Sequence, residues 1–152
     1  MANTREDFKT LAQKRLETVK VLIANQEWGI AAYLMGFVLE CVLKAAACKA
    51  LNLTSYPEVG ILKNKKIIDY FRTHSFDMLL IVSGTNDIFD LSGEGANSWS
   101  GFTQEYTKIG EWVNIRYNVI NQFDETLVKN LYNLLTGSPN GIIPLIEAKQ
   151  RW

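Results

Sequence analysis

Two charged residues lie in the most apolar segment of the chain. Glu40 and Lys44 interrupt the run from Glu27 to Leu51, EWGIAAYLMGFVLECVLKAAACKAL. Residues four apart share one face of a helix, where a carboxylate and an ammonium can form an ion pair. The same two groups can instead contribute to a polar site, because the helix around them is otherwise apolar. Both interpretations stay open on the sequence alone.

A second group of polar residues follows Trp112. Arg116 is surrounded by apolar positions, so it can either pair with Glu40 or hold a phosphate or carboxylate with its fork of donors. Asn121, five residues later, can form hydrogen bonds but cannot transfer protons. On a regular helix the two side chains point about 140° apart. They converge only if the helix bends or ends there, or if a second subunit completes the site.

His74 is the only histidine, and histidine is the side chain that titrates near neutral pH. It precedes Ser75, the predicted N-cap of a helix, so a loop position is favoured over a role as general base. A single histidine cannot build a zinc-type ligand set, and phosphate-binding glycine motifs and the nucleophile elbow are absent. We therefore expect neither a metal nor a cofactor. Cys41 and Cys48 lie about 10 Å apart along a helix, too far for a disulfide, and are expected to be buried.

Composition excludes a strong overall attraction to polyanions. The chain has 16 Lys and Arg against 16 Asp and Glu, so any nucleic-acid contact must come from a local patch. Two segments are basic: the outer face of the first predicted helix, favoured as a solvated face over an RNA-binding stripe, and the short amphipathic run 62–72, LKNKKIIDYFR. The charged N-terminus lacks the apolar core of a signal peptide, so we expect a cytoplasmic protein without membrane contact.

Helical periodicity dominates the chain, and no segment alternates with a period of two. The predicted fold class is all-α, an antiparallel up-and-down bundle of four to five helices with short extra helices, in one domain over 1–152. Glu27 to Leu51 is its central helix and is apolar nearly all round in its first half. Glu40 and Lys44 leave it short of the roughly 20 apolar residues that a membrane span needs.

Local signals predict the other boundaries. Thr4 and Asp7 form a capping box for a first helix that ends near Asn25, and Ser75 caps a helix that ends at Gly84. The remaining predicted elements are a long loop over 84–101 with a turn of helix at 87–91, a helix over 102–121, a helix capped by Asp124 or a neighbour that ends at Gly137, and a short last helix over 145–151.

The predicted core contains Leu34, Val38, Val42, Val113, Ile120 and Leu131. Aromatic residues are abundant late in the chain, namely Trp99, Phe102, Trp112 and Tyr117. Packing inside the core or at its rim is favoured for Trp99, Trp112 and Tyr117 over stacking on nucleic-acid bases. An excess of such side chains over the space in one small core would leave an apolar surface for a second copy. A homodimer is therefore expected.

Three runs together resemble the HEPN superfamily, the higher eukaryote and prokaryote nucleotide-binding domains. They are AAYLMGFVLECVLKA from Ala31 to Ala45, THSFDMLL from Thr73 to Leu80 and WVNIRY from Trp112 to Tyr117. The resemblance covers about Phe8 to Leu135, with the runs in the same order. It implies a bundle of four or five helices that commonly pairs into a homodimer.

Many proteins of that superfamily are metal-independent endoribonucleases with a motif of Arg, four to six residues, then His. Arg116 matches the arginine, but Asn121 stands where the histidine is expected. Cleavage of RNA through the ribose hydroxyl needs a group that titrates near neutral pH, which an amide does not provide. A second recurring element, Glu followed after three residues by Lys or Arg, matches Glu40 and Lys44.

The resemblance therefore implies a non-catalytic module that binds a nucleotide, RNA or a protein partner, in a toxin–antitoxin or defence system. A nucleotidyltransferase or an antitoxin is the kind of partner expected. The predicted ligand-binding residues are Arg116, Asn121, Glu40, Lys44, Tyr117 and His74. The alternative is an endoribonuclease that uses Arg116 with a non-standard acid-base residue such as His74.

Overall fold

The computed structural model describes residues 3–57, 63–117 and 122–152, and these residues contain helices and no strand. The all-α prediction is confirmed. The elements, in chain order, are α1 Arg5–Ala24, α2 Trp28–Ala50, α3 Lys65–Phe71, α4 Phe76–Val82, α5 Asn86–Phe89, α6 Ala96–Thr107, the 3-10 helix η1 Trp112–Tyr117, α7 Glu125–Thr136 and α8 Ile142–Ala148.

Helix α2 is the centre of the fold, as predicted. It packs against α1, α4, α7 and η1, and every residue from Val38 to Cys48 is buried. The part that is enclosed all round is thus the second half of the helix, whereas the sequence placed it in the first half. The three alanines at 45–47 have small side chains that neighbouring elements can approach closely, whereas Ile30 in the first half is exposed. Cys41 and Cys48 are buried, as expected.

Three predicted helix starts are confirmed by their caps. The Thr4 hydroxyl accepts a hydrogen bond from the backbone of Asp7, and the Asp7 carboxylate accepts one from the backbone of Thr4. Ser75 caps α4, and Asp124 caps α7 by accepting from Leu127 N. These contacts satisfy backbone donors that have no partner inside the first turn.

The predicted helix over 102–121 is wrong in both its start and its end. Helix α6 begins earlier, at Ala96, and ends at Thr107, and Gly110 then takes a left-handed conformation with φ of 86°. The chain continues as η1, so the apolar spacing that suggested one helix is shared by two elements. Residues 118–121 lie outside the described part of the chain.

The predicted loop 84–101 is shorter than expected, because it contains α5 and the first half of α6. The last helix also begins earlier, at Ile142 instead of Leu145, and Pro144 lies in its first turn. A proline is tolerated there because the first backbone N–H groups of a helix have no internal acceptor. The basic run 62–72 contains α3, which Asn64 caps.

Most of the predicted core is buried. Val38, Val42 and Leu131 are fully buried, and Leu34 and Val113 are partly buried and pack against the core, while Ile120 is outside the described residues. Three of the four aromatic residues that suggested a dimer, Trp99, Phe102 and Trp112, are buried within the single chain. Aromatic crowding therefore no longer supports a homodimer, which stays a prediction from the resemblance alone.

One helix among the described residues, α2, is long and apolar enough to cross a membrane by length and composition, with a mean hydropathy of 1.7 in its best window. The sequence analysis had considered the apolar part of this helix too short to span a membrane, because it counted Glu40 and Lys44 as interruptions. Within the fold, 78% of that window is buried. Such burial is what a core helix of a bundle has.

Candidate functional site

Glu40 connects two neighbours in the interior of the bundle. Its side chain is buried on α2, and each carboxylate oxygen has one partner: Oε1 lies 3.1 Å from Lys44 Nζ, and Oε2 lies 2.8 Å from Nδ1 of His74. The Glu40–Lys44 pair expected from the spacing is therefore present. The contact with His74 crosses from α2 to the start of α4 and joins residues 34 positions apart.

Lys44 has the more internal position of the two partners. Its side chain is buried, and Nζ lies 5.0 Å from the centre of the Tyr56 ring and 5.7 Å from that of Phe8. An ammonium over an aromatic face is attracted to the negative face of the ring. Buried Lys44 thus helps to balance the charge of Glu40 through one carboxylate oxygen, while the half-exposed His74 contacts the other.

His74 has a defined position even though half of its side chain is exposed. Its backbone oxygen accepts a hydrogen bond of 3.2 Å from Trp112 Nε1, and its ring packs edge-on against that indole at 6.0 Å. The chain direction there is fixed by the cap of α4, since Ser75 is the residue that follows. Glu40, Trp112 and the cap together hold the imidazole in one orientation.

The environment raises the pKa of His74 above its ordinary value of 6.5. The hydrogen bond to Glu40 is the main cause, with the negative charges of Glu40 and Glu111 adding to it. Partial burial and the positive charge of Lys44 act in the opposite direction. The net effect favours the imidazolium form, because the carboxylate stabilises the charged ring more than burial penalises it.

A cleft of about 180 Å³ opens beside His74. Aromatic side chains line its inner part, where Phe76 lies parallel to Trp112 at 6.4 Å and edge-on to Tyr106 at 5.7 Å. The Tyr106 hydroxyl donates to Ala32 O at 2.8 Å, and burial raises its pKa well above the ordinary value, so it stays protonated. The polar groups that line the cleft are Ser75, Asp77, Thr103, Thr107 and Glu111.

Arg116 and Tyr117 lie apart from this cleft. Trp112 and Ile115 turn inward from η1, whereas Arg116 and Tyr117 are exposed. The Arg116 guanidinium lies 4.8 Å from the centre of the Tyr117 ring, on the outer surface. The sequence allowed Arg116 to pair with Glu40, but Lys44 and His74 occupy both carboxylate oxygens.

The structure therefore brings together three of the six predicted site residues, Glu40, Lys44 and His74. Arg116 and Tyr117 are not among the residues that line the cleft, and Asn121 is outside the described part of the chain. Among the described residues, no three His, Cys, Asp or Glu side chains are grouped so as to hold a metal ion.

Sequence reasoning missed most residues of the cleft. Thr103, Thr107 and Glu111 were assigned to a continuous helix, and only the break at Gly110 brings Glu111 and Trp112 to the cleft. That glycine was the available signal, because a glycine inside an apolar helical pattern marks a possible end of the helix. Nothing local pointed to Asp77 beyond its role in the first turn of α4.

Chemically, the arrangement is an imidazole oriented by a buried carboxylate at the edge of a cleft. Because Nδ1 faces Glu40, the second ring nitrogen is the one that can reach a ligand. In its charged form it can donate a hydrogen bond to an anion, and in its neutral form it can accept a proton.

Comparison with protein-family models, curated proteins and solved structures finds no match. The resemblance to the HEPN superfamily accordingly stays a prediction.

Proposed function

We propose that this chain is a HEPN-like module that binds a phosphate-bearing ligand, a nucleotide or RNA, in the cleft beside His74 and does not cleave it. The observation that carries the proposal is the 2.8 Å contact between Glu40 Oε2 and Nδ1 of His74. It raises the pKa of the imidazole and occupies one ring nitrogen, so that the second ring nitrogen remains for a ligand. A cationic donor on a fixed ring is suited to a phosphate oxygen.

The charges around His74 restrict the kind of ligand that the cleft can bind. Asp77 and Glu111 are exposed carboxylates that line the cleft, and they would repel a chain of several phosphates. They can accept hydrogen bonds from ribose hydroxyls or from the amino groups of a base. One cation with two acceptors thus favours a nucleoside monophosphate, or one nucleotide of an RNA strand, over a triphosphate.

The volume of the cleft indicates that it would enclose only part of a nucleotide. Pockets that bury a drug-sized ligand measure about 300–1,000 Å³, and this cleft measures about 180 Å³. The phosphate and sugar would fit inside, while the base would lie at the rim. Such a site depends on further contacts for affinity, which agrees with a module that works with an RNA strand or a protein partner, as in a toxin–antitoxin pair.

Calorimetric titration with the four nucleoside monophosphates and with inorganic phosphate tests the proposal. Binding is expected to weaken as the pH rises through the raised pKa of His74, and to be lost in His74→Gln. Glu125→Gln is the control, because Glu125 pairs with a lysine four residues later, as Glu40 does, but is not among the residues that line the cleft. Absence of binding by every probe, or binding that His74→Gln leaves unchanged, would refute the cleft as the site.

The variant Arg116→Gln distinguishes ligand binding in the cleft from ligand binding at the arginine of the HEPN motif. The superfamily resemblance makes Arg116 a ligand residue, whereas its exposed position beside Tyr117 predicts that monophosphate binding at the cleft is retained. Loss of binding in Arg116→Gln with retention in His74→Gln would move the site to η1.

A second candidate is a metal-independent endoribonuclease with His74 as the acid-base group. It is favoured by the same contact, because a carboxylate that holds one ring nitrogen leaves the other to transfer a proton. The test incubates RNA with the protein in a chelator, beside His74→Gln, Arg116→Ala and Asn121→His. Cleavage that disappears in His74→Gln would establish the enzyme, whereas cleavage only by Asn121→His would indicate a scaffold that has lost its proton-transfer residue.

A further inference from the structure

Helix α3 is the element with the least attachment to the core. None of its residues is buried, and only Ile68 and Phe71 are partly so. Phe71 holds the helix to the bundle by packing edge-on against Tyr56 at 5.5 Å. Since residues four apart share a helix face, Lys66 and Tyr70 lie together on the outward face, and Ile67 lies at its edge beside Phe71.

Three lysines at this helix form no ion pair within the described part of the chain, although the exposed Asp69 lies on the same helix. They are Lys63, Lys65 and Lys66, and all three are exposed. Most other lysines do have a partner, and five of them pair with a carboxylate: Lys20 with Glu17, Lys44 with Glu40, Lys108 with Glu105, Lys129 with Glu125 and Lys149 with Glu94. The chain as a whole is neutral, so the excess of positive charge at α3 is local.

Apolar side chains are exposed among these cations. The aromatic Tyr70 is 55% exposed and Ile67 is 45% exposed. Aromatic rings on which bases stack, surrounded by lysines that contact phosphates, are the usual means by which proteins bind single-stranded nucleic acid. We infer that Lys63, Lys65, Lys66, Ile67 and Tyr70, the α3 surface, bind a single strand of nucleic acid.

A membrane or an acidic peptide would explain fewer features of the α3 surface than a nucleic-acid strand does. A membrane-bound helix buries a broad apolar face, whereas α3 offers only Ile67 and Tyr70 on its outward side. An acidic peptide would explain the lysines but leaves the exposed phenol without a role. A single strand uses both features, because each nucleotide brings one phosphate and one ring.

The inference goes beyond the proposed function, because the α3 surface lies outside the cleft. Strand binding at α3 and ligand binding in the cleft can each occur without the other. The two are nevertheless neighbours: α3 ends at Phe71, three residues before His74, and packs against α4. A strand bound along α3 would pass close to the cleft.

Fluorescence anisotropy with a labelled twelve-nucleotide oligouridine tests the inference. Lys63→Gln, Lys65→Gln and Lys66→Gln, combined in one variant, should weaken binding about tenfold or more at low salt. The slope of log K against log salt should fall by about 2, since each phosphate contact contributes about 0.7 for a single strand. Tyr70→Ala should weaken binding about fivefold or more at every salt concentration, because a stacking contact does not depend on counterion release.

The matched control combines Lys108→Gln, Lys129→Gln and Lys149→Gln. It removes the same number of lysines, but ones that acidic side chains already balance. Circular dichroism checks that both triple variants fold. Equal weakening in the two variants, no binding of the oligouridine by the natural chain, or binding of phosphatidylserine vesicles in place of RNA would overturn the inference. Monophosphate titration of the α3 variant should be unchanged, which separates this surface from the cleft.

Discussion

Two Glu–Lys pairs with the same sequence spacing have opposite environments in this fold. Glu40 and Lys44 on α2 have side chains that are 6% and 8% exposed, whereas Glu125 and Lys129 on α7 are 60% and 57% exposed. The exposed pair consists of two side chains in water. The buried pair leaves one carboxylate oxygen for His74, a residue from another element. A spacing of four therefore predicts the pair but not what the pair does, which depends on the burial of the helix that carries it.

The largest expected difference between the two pairs is the loss in the free energy of unfolding when the carboxylate of each pair is removed. Glu40→Ala leaves the buried Lys44 ammonium without its carboxylate, and we expect a loss of about 3 kcal/mol in the free energy of unfolding. Glu125→Ala should cost less than about 0.5 kcal/mol, because exposed pairs are screened by water. Urea denaturation of both variants measures the difference. Similar small losses would mean that the Glu40 carboxylate is not buried in solution.

A single added methyl group tests the packing that supports His74. A Cβ at Gly36 would lie 2.9 Å from Cδ2 and Cε3 of the Trp112 indole, closer than such atoms approach in proteins. Gly36→Ala should therefore displace Trp112 and destabilise the protein by about 1 kcal/mol, since overpacking outweighs the better helix propensity of alanine. Gly29→Ala, at a partly exposed position of the same helix, is the control. Greater stability in Gly36→Ala would show that the indole has room to move.

A smaller effect is expected on the pH dependence of stability, because His74 contacts the carboxylate of the buried pair. His74 has a raised pKa in the folded state, so its contact with Glu40 contributes stability that is complete below the unfolded pKa of 6.5. That contribution is lost as the pH rises through the folded pKa. The difference in unfolding free energy between the natural chain and His74→Gln should thus shrink between about pH 6 and pH 8. A difference that grows over this range would contradict the contact.

What the sequence predicted and what it missed follow the same division between local and distant interactions. The caps at Thr4, Ser75 and Asp124 were predictable because each is a contact between residues three apart. The His74–Glu40 contact joins residues 34 apart, and its formation depends on how α4 packs against α2. No local pattern contains that information, so the sequence predicted His74 as a ligand-binding residue but did not predict its contact with Glu40.

The same division explains the error around Arg116. An apolar spacing that continued past Gly110 suggested a helix, and on that helix Arg116 could have faced Glu40. The left-handed conformation of Gly110 and the tighter turn of η1 direct Arg116 outward instead. A 3-10 helix repeats every three residues, so Trp112 and Ile115 share the inward face and Arg116 does not.

The most direct test of the buried contact is a proton NMR titration of the only imidazole in the chain. The account predicts that the pKa of His74 lies above 6.5 in the natural protein, stays there in Glu125→Gln, and falls in Glu40→Gln, because the amide carries no charge to stabilise the imidazolium. The natural protein alone is informative if Glu40→Gln is too unstable. A pKa at or below 6.5 in the natural chain, or one that Glu40→Gln leaves unchanged, would contradict the central claim that a buried carboxylate holds His74 at the cleft.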